Sequence, residues 1–420
     1  MNESTGLKDY MNSITLFFND LDEPLNIGKS EIKTLLHILS GVNDFRMKGK
    51  TIYGLENLLA ICFYLAIKGE FHSFHYAATY VRIFENKFVE LGLVEKGKTP
   101  SHDTFRRIFS HLDAAALRDA FICKINTFLE AIAVHDKGMK GKYRILSGDG
   151  KTFNGSGRKD GVRNLNVFNI YNASTSVCLS SVPLTSKESE IKQFQKMLPK
   201  YDLRKTIVTA DALHCQRKTC EIIIAHRGHY VFKAKGNSFS FYDEVVAAFA
   251  DKKAKIKSLT HNDCDYEFIK VKDIISDADW PGAETYVRMV SHKRDDQKDN
   301  SHDYHYFVSS LKDPLLIAEA ADNRWQIESG LHLFKDKFLR EDDCTFTNKN
   351  AVQCMAVINN IVYSFYRIAT AMLGYQTMQE TKIRFKDDPE ALINLMLPML
   401  KKKNVSALIK ENLKGRKKTD

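Results

Sequence analysis

The chain has 420 residues, 44% hydrophobic and 27% charged, a balance that excludes a disordered tail protein and leaves enough chain for two or three domains with a full core. Lys and Arg number 62 against 52 Asp and Glu, giving a net charge of +10, so nucleic-acid phosphates are a natural partner to test. The eight cysteines are scattered and form no C-x-x-C pair, which reads as reduced core thiols and argues against zinc.

Neither a signal-peptide pattern at MNESTGLKDYMNS nor a run of about 18 apolar residues is present, so the expectation is a cytoplasmic protein with no membrane partner. Residues 1–140 read as an all-helical N-terminal domain. ENLLAICFYLAI, FHYAATYVRIFENKFVEL and AALRDAFICKINTFLEAIAV are apolar at helical spacing. In DTFRRIFSHL, Phe105, Ile108, Phe109 and Leu112 share one face, with Pro100 and Ser101 marking the start. The opposite face carries Arg106, Arg107 and His111. Such a face is either merely solvated or lies along DNA, and Arg106 and Arg107 are carried forward as candidate DNA contacts.

From 141 to 236 the pattern becomes YRILSGDG, NVFNIYNAS and VCLSSVPLT as strands, SEIKQFQKML as a helix, TIVTADA as a strand, RKTCEIIIAHRG as a helix capped by Gly228, and YVFKAKG as a strand. Three strands, helix, strand, helix, strand is the order of the ribonuclease H-like α/β fold. YEFIKVKD, TYVRMVSHKR and DYHYFVSSL, around the charged loop HKRDDQKDNSHD, read as an inserted β subdomain at about 237–312, after which Asp313 and Pro314 start a long helix. The catalytic domain is expected to span 141–372, followed by a helical and basic tail over 373–420. Residues 401–420 hold eight basic and two acidic residues; they are a solvated end or a phosphate contact.

Three carboxylates stand out: Asp149 and Asp211 at the ends of apolar strands and Glu328 on the helix. Burial penalises each unless a cation is bound. Together they suggest a site for two hard divalent ions about 4 Å apart, Mg²⁺ with Mn²⁺ able to substitute. Gly148 and Gly150 would let backbone and ions approach. Arg324, Glu328, Leu331 and Lys335 fall at i, i+4, i+7 and i+11, one stripe on a regular helix. That stripe is also what a ladder of surface ion pairs looks like. Lys151 reads as a phosphate contact or a strand-edge lysine, with the same choice for Lys233 and Lys235. His214 and Cys215, with no partner at ligand spacing, read as packing or capping residues.

SHDTFRRIFS, GDGKTFNGS, SKESEI before a helix, TADALHCQ, GHYVFKAKGN, and RWQIESGLH leading to FLREDD occur in that order. Over roughly residues 50–370 the chain thereby resembles the DDE-type insertion-sequence transposases, most of all the H-repeat-associated group. The resemblance implies that Asp149, Asp211 and Glu328 are the catalytic, metal-holding carboxylates. It also implies that Arg324 and Lys335 belong to a Tyr-Arg-Glu-Lys signature in contact with DNA. The partners implied are double-stranded DNA, as element ends and target, and a homodimer or larger assembly on that DNA. The sequence departs from the family at Ala321 for the tyrosine, Ser329 for an asparagine, and His261-Asn262-Asp263 for a His-Gly-Arg segment. Strand transfer is implied by the resemblance; the carboxylates alone imply only cleavage. A nuclease of the same fold without strand transfer, and an inactive DNA-binding remnant, are the alternatives.

Overall fold

The computed structural model describes residues 32–47, 49–135, 143–157, 164–184, 187–235, 239–274, 280–291 and 304–400. The N-terminal segment, the charged loop over 292–303 and the basic tail over 401–420 lie outside the described residues. Helices α1 (Ile32–Leu39), α2 (Leu55–Lys68), α3 (Phe74–Ile83), α4 (Glu85–Glu90), α5 (His102–Phe109) and α6 (Ala114–His135) come first. Helix α2 is apolar on every side and is buried from Leu58 to Ile67, the behaviour expected of a helix without a polar face. Ser101 caps α5, its Oγ accepting from the Thr104 amide at 3.3 Å. Phe105, Ile108, Phe109 and Leu112 are buried, while Arg106, Arg107 and His111 are exposed.

The sheet comes next as β1 (Arg144–Phe153), β2 (Leu165–Asn172), β3 (Val177–Leu184), helix α7 (Lys187–Met197), β4 (Thr206–Ala210), helix α8 (Arg217–Ala225) and β5 (His229–Ala234). After helix α9 (Phe239–Ala250) come β6 (Lys257–His261), β7 (Cys264–Lys270), β8 (Thr285–Ser291) and β9 (His305–Ser309). All nine strands form one sheet in the order β3-β2-β1-β4-β5-β9-β8-β7-β6. Strand β1 is antiparallel to β2 and parallel to β4, and β4 is parallel to β5. The inserted strands do not stand apart as a subdomain: β9 pairs antiparallel with β5, Val231 facing Ser309. This pairing satisfies the row of backbone groups that β5 would otherwise leave open. Another difference lies after α8, where Arg227 and not Gly228 takes the left-handed conformation, with φ +60°. Gly228 is required by space, since a Cβ there would sit 3.0 Å from Leu203 Cβ.

Alternate strand residues feed two cores. Ile207, Val231 and Phe307 face one with α2, α6 and helix α12 (Lys349–Met372); Val208, Phe232 and Val308 face the other with Phe194, Ile223 and Val245. The early helices share the first core with α12. Phe121 lies 5.1 Å from Phe63 and 6.4 Å from Phe365 between ring centroids, and Tyr366 Oη donates to the Ile67 carbonyl at 2.9 Å. Asn350 donates to the carbonyls of Phe109 and Leu112. All eight cysteines are free, and no helix among the described residues is long and apolar enough to cross a membrane.

Strand β1 is lined by glycine where α7 crosses it. A Cβ on Gly148 would sit 2.8 Å from Phe194 and 3.0 Å from Phe168, both fully buried. Gly148→Ala should therefore lower stability by about 1–3 kcal/mol through overpacking, read as a reduced urea midpoint at unchanged slope. Phe194→Leu in the same chain should recover part of the loss; strict additivity of the two changes would contradict this origin.

Candidate active site

The parallel register of β1 and β4 decides where two acids fall. Ser147 faces Thr209 and Gly148 faces Ala210, with the two hydroxyls 2.8 Å apart. Asp149 and Asp211 are thus the next residues along adjacent strands. Asp149 Oδ1 accepts from the Gly150 amide at 2.9 Å. Asp211 ends β4 and caps the short turn Ala212–His214, accepting from the Leu213 amide at 3.1 Å.

The third acid sits on an irregular helix. Helix α10 (Pro314–Gln326) starts at the Asp313 cap, whose Oδ1 accepts from Leu315 at 2.9 Å. It then widens into a π-helical turn over Ile327–His332 before α11 (Leu333–Lys337). Glu328 stands in that wide turn, its Oε1 3.0 Å from Arg324 Nη1. Turns of this kind are uncommon and concentrate at functional sites.

Burial, then Glu328, Asp211 and Glu190 in that order, push the Asp149 carboxyl up to about 8. The four acids therefore share one electrostatic neighbourhood. Among the described residues no three His, Cys, Asp or Glu side chains already stand at the spacing of one coordination sphere, so the coupling acts through space. Hard carboxylate oxygens that repel one another suit a divalent ion in charge and donor type.

Glu190 was hidden in the SKESEI segment. Its Oε1 lies 3.0 Å from Nε2 of His214, a fully buried residue, and a Cβ on Gly150 would meet its Oε2 at 2.8 Å. Gly150 therefore makes room for a carboxylate, and Gly148 for two rings. His332 likewise carries no local signal in the sequence. Its Nδ1 is 3.5 Å from Asp149 Oδ2, and burial, with Lys335 and Lys151 adding to it, lowers its pKa well below the usual value.

The Transposase DDE domain family matches residues 131–365, more than half of the chain, and the DDE_Tnp_1-associated family matches residues 36–123. The chain belongs to the DDE transposase domain family. It is 25% identical over 357 residues to "H repeat-associated putative transposase YhhI" of Escherichia coli K12, covering 79% of this chain and 89% of the relative. It is 24% identical over 387 residues to "Putative transposase YncI" of Escherichia coli O157:H7, covering 84% and 92%. The piggyBac transposase of a synaptic complex with hairpin DNA aligns with a TM-score of 0.44 and 10% identity over 96% of this chain and 81% of its own. At that level the likeness is too loose to carry function across.

Within this DDE chain, the cations of the expected DNA set take different places. Lys335 is fully buried, its Nζ 3.2 Å from Glu341 Oε1 and 3.0 Å from Asn360 Oδ1. Burial withdraws it from any DNA-facing surface. Lys151 is also buried, paired with Asp336 and 3.7 Å from Asp342. Burial opposes its charge, but Glu341, Asp336 and Asp342 raise its pKa overall. Arg324 is buried against Glu328, and its guanidinium lies 4.2 Å from the Trp325 ring centroid. Arg106 and Arg107 remain on the surface, with Arg106 paired to Asp103 at 2.7 Å. The His261-Asn262 turn docks on α10 at Asp322, which accepts from Asn262 at 2.9 Å and from the Tyr266 hydroxyl.

A carboxyl that ionises near 3.8 in the free chain and near 8 in the fold holds its proton more tightly when folded, so stability falls as pH rises from about 4 to about 8. Asp149→Asn removes that fall. In chelating buffer at pH 8 the variant should melt above the parent, by an amount on the order of several kcal/mol at most. Near pH 4 the two should converge; parallel pH profiles would show that Asp149 is not under this repulsion.

Proposed function

We propose that the protein is a DNA transposase that hydrolyses a phosphodiester at the ends of its element and joins the freed 3′-hydroxyl to target DNA. The observation that carries this reading is the β1–β4 register beside Asp149 and Asp211, with Glu328 acting on the same carboxyl, in a chain of this family. Three antiparallel strands continuing into two parallel ones support a ribonuclease H-like assignment for the catalytic part over 141–372. Helices before residue 140 would then serve the DNA ends, and double-stranded DNA and a dimer or larger assembly are the partners.

Asp149, Asp211 and Glu328 are the residues that would hold two Mg²⁺ ions. Bound there, such ions activate an attacking hydroxyl and stabilise charge on the leaving oxygen. The protein's own work is to hold the carboxylates. Asp149 is placed by the strand, Asp211 by its capped turn, and Glu328 by Arg324, which also offsets its charge. Lys151 and Lys335 brace this assembly from within, leaving phosphate contact to surface cations such as Arg106 and Arg107.

With an element-end duplex and Mg²⁺, the protein should nick DNA and, from precleaved 3′-hydroxyl ends, join them to a plasmid. Asp149→Asn, Asp211→Asn and Glu328→Gln should each lower cleavage at least about 10²–10³-fold, the scale of losing a main charge-stabilising group, while duplex binding persists. Nicking without joining would select the nuclease reading, and binding without nicking the inactive remnant. Cleavage surviving in Asp149→Asn would move the chemistry elsewhere.

Sequence reading of the ends is assigned to the exposed face of α5. Replacing Arg106 and Arg107 with alanine should weaken binding to the cognate end more than to random duplex, by about 1–3 kcal/mol if either reads a base edge. Equal loss on both duplexes would limit the pair to phosphate contact.

A further inference from the structure

Lys335 and Asp149 are linked by a run of polar side chains, buried from Lys335 to Asn169 and ending at the half-buried His332. Lys335 Nζ donates to Asn360 Oδ1 at 3.0 Å. Asn360 Nδ2 donates to Ser181 Oγ at 2.7 Å, and the Ser181 hydroxyl donates to Asn169 Oδ1 at 2.5 Å. Asn169 Nδ2 then faces His332 Nε2 at 3.1 Å. An amide nitrogen can only donate, so His332 Nε2 must accept and the ring proton must sit on Nδ1. That nitrogen is the one 3.5 Å from Asp149 Oδ2, an electrostatic approach beyond ordinary hydrogen-bond length. Every hydrogen bond in the run points the same way, from the ammonium to the imidazole, whose remaining N–H lies nearest the carboxylate.

We propose that His332 is a positioning residue for Asp149, held in its Nδ1–H form by the chain Lys335–Asn360–Ser181–Asn169. This deepens the transposase reading and rests on it. The polarity cannot reverse, because Lys335 at the far end has no acceptor and is anchored by the buried Glu341, 3.2 Å away. Glu341 in turn accepts from Asn359 at 3.0 Å. Asn169, Ser181 and Asn360 are buried, so water does not offer each link a competing partner. Asp149 thus has an imidazole N–H near the oxygen that the Gly150 amide leaves unused. Outer partners of this kind orient a metal-holding carboxylate before the ion arrives.

The test uses the full chain and Mn²⁺ alone, with free Mn²⁺ measured by electron paramagnetic resonance. Ser181→Ala cuts the chain three links from Asp149, and His332→Phe removes its last member. Each should weaken Mn²⁺ binding about 10-fold or more, and the double variant should be no weaker than His332→Phe alone, since both break one path. Thermal midpoints identify any variant that fails to fold, and His332→Phe, at a partly exposed ring, decides the matter if Ser181→Ala does. In nitrogen-15 histidine spectra the His332 ring should carry its proton on Nδ1 in the parent and lose that preference in Ser181→Ala. Asp149→Asn separates the layers: unchanged Mn²⁺ affinity there sinks the metal reading itself. Weakening in Asp149→Asn but parent-like affinity in His332→Phe, additive losses in the double variant, or an Nε2 proton in the parent would overturn this inference alone.

Discussion

Parallel pairing between β1 and β4 is the constraint on which the candidate chemistry depends. A shift of one residue would turn every side chain of a strand to the opposite face, taking Asp149 away from Asp211. The register is held by apolar alternation on both cores and by the buried Ser147–Thr209 contact at 2.8 Å. Crossing of α7 over Gly148 adds a steric lock, because a Cβ there would run into the packed rings of Phe194 and Phe168, while at Gly150 it would displace the carboxylate end of Glu190. The same packing that fixes the strand delivers a fourth carboxylate to its rim.

Against that rim the protein sets buried positive charge. Lys151 with Asp336, and Lys335 with Glu341, join β1 to α11 and to the short turn Glu341–Asp343. Buried pairs add little net stability compared with apolar residues, but removing one partner leaves an uncompensated charge at a cost of about 3–5 kcal/mol. Such pairs tolerate one arrangement and penalise the rest, which suits a scaffold that must hold acids close together. The π-helical turn contributes in the same way: one extra residue per turn rotates the residues beyond it by about 100° relative to a regular helix.

Much of this was legible in the residues. Caps at Ser101 and Asp313, the order of β1 to β5 and the three acids can be read from local signals of period, cap chemistry and polarity. The features that escaped are non-local or irregular. Joining of β9 to β5 is a pairing between segments about 80 residues apart, with no local signature. Lys151 and Lys335 look like surface lysines because their partners, Asp336, Asp342 and Glu341, become neighbours only through folding. His332 stands four residues after Glu328, but the contact that marks it is with Asp149 on a distant strand, which only folding brings near. Glu190 and His214 were visible as residues, yet their pairing needs α7 and the turn after β4 to meet over Gly150.

The sharing of one core by α2 and α12 has a consequence for the chain as it is made. Helix α2 is apolar all round, and its cover includes Phe121, Phe365 and Tyr366, the last bonded to Ile67. During translation at about 5–20 residues per second, the separation of 299 residues between Ile67 and Tyr366 takes on the order of 15–60 s to appear. For that interval α2 has only the partial cover of early residues such as Phe121, so a chain stopped before Phe365 leaves apolar surface of the kind that aggregates or recruits chaperones. The architecture therefore ties full burial of this helix to synthesis of the chain through α12.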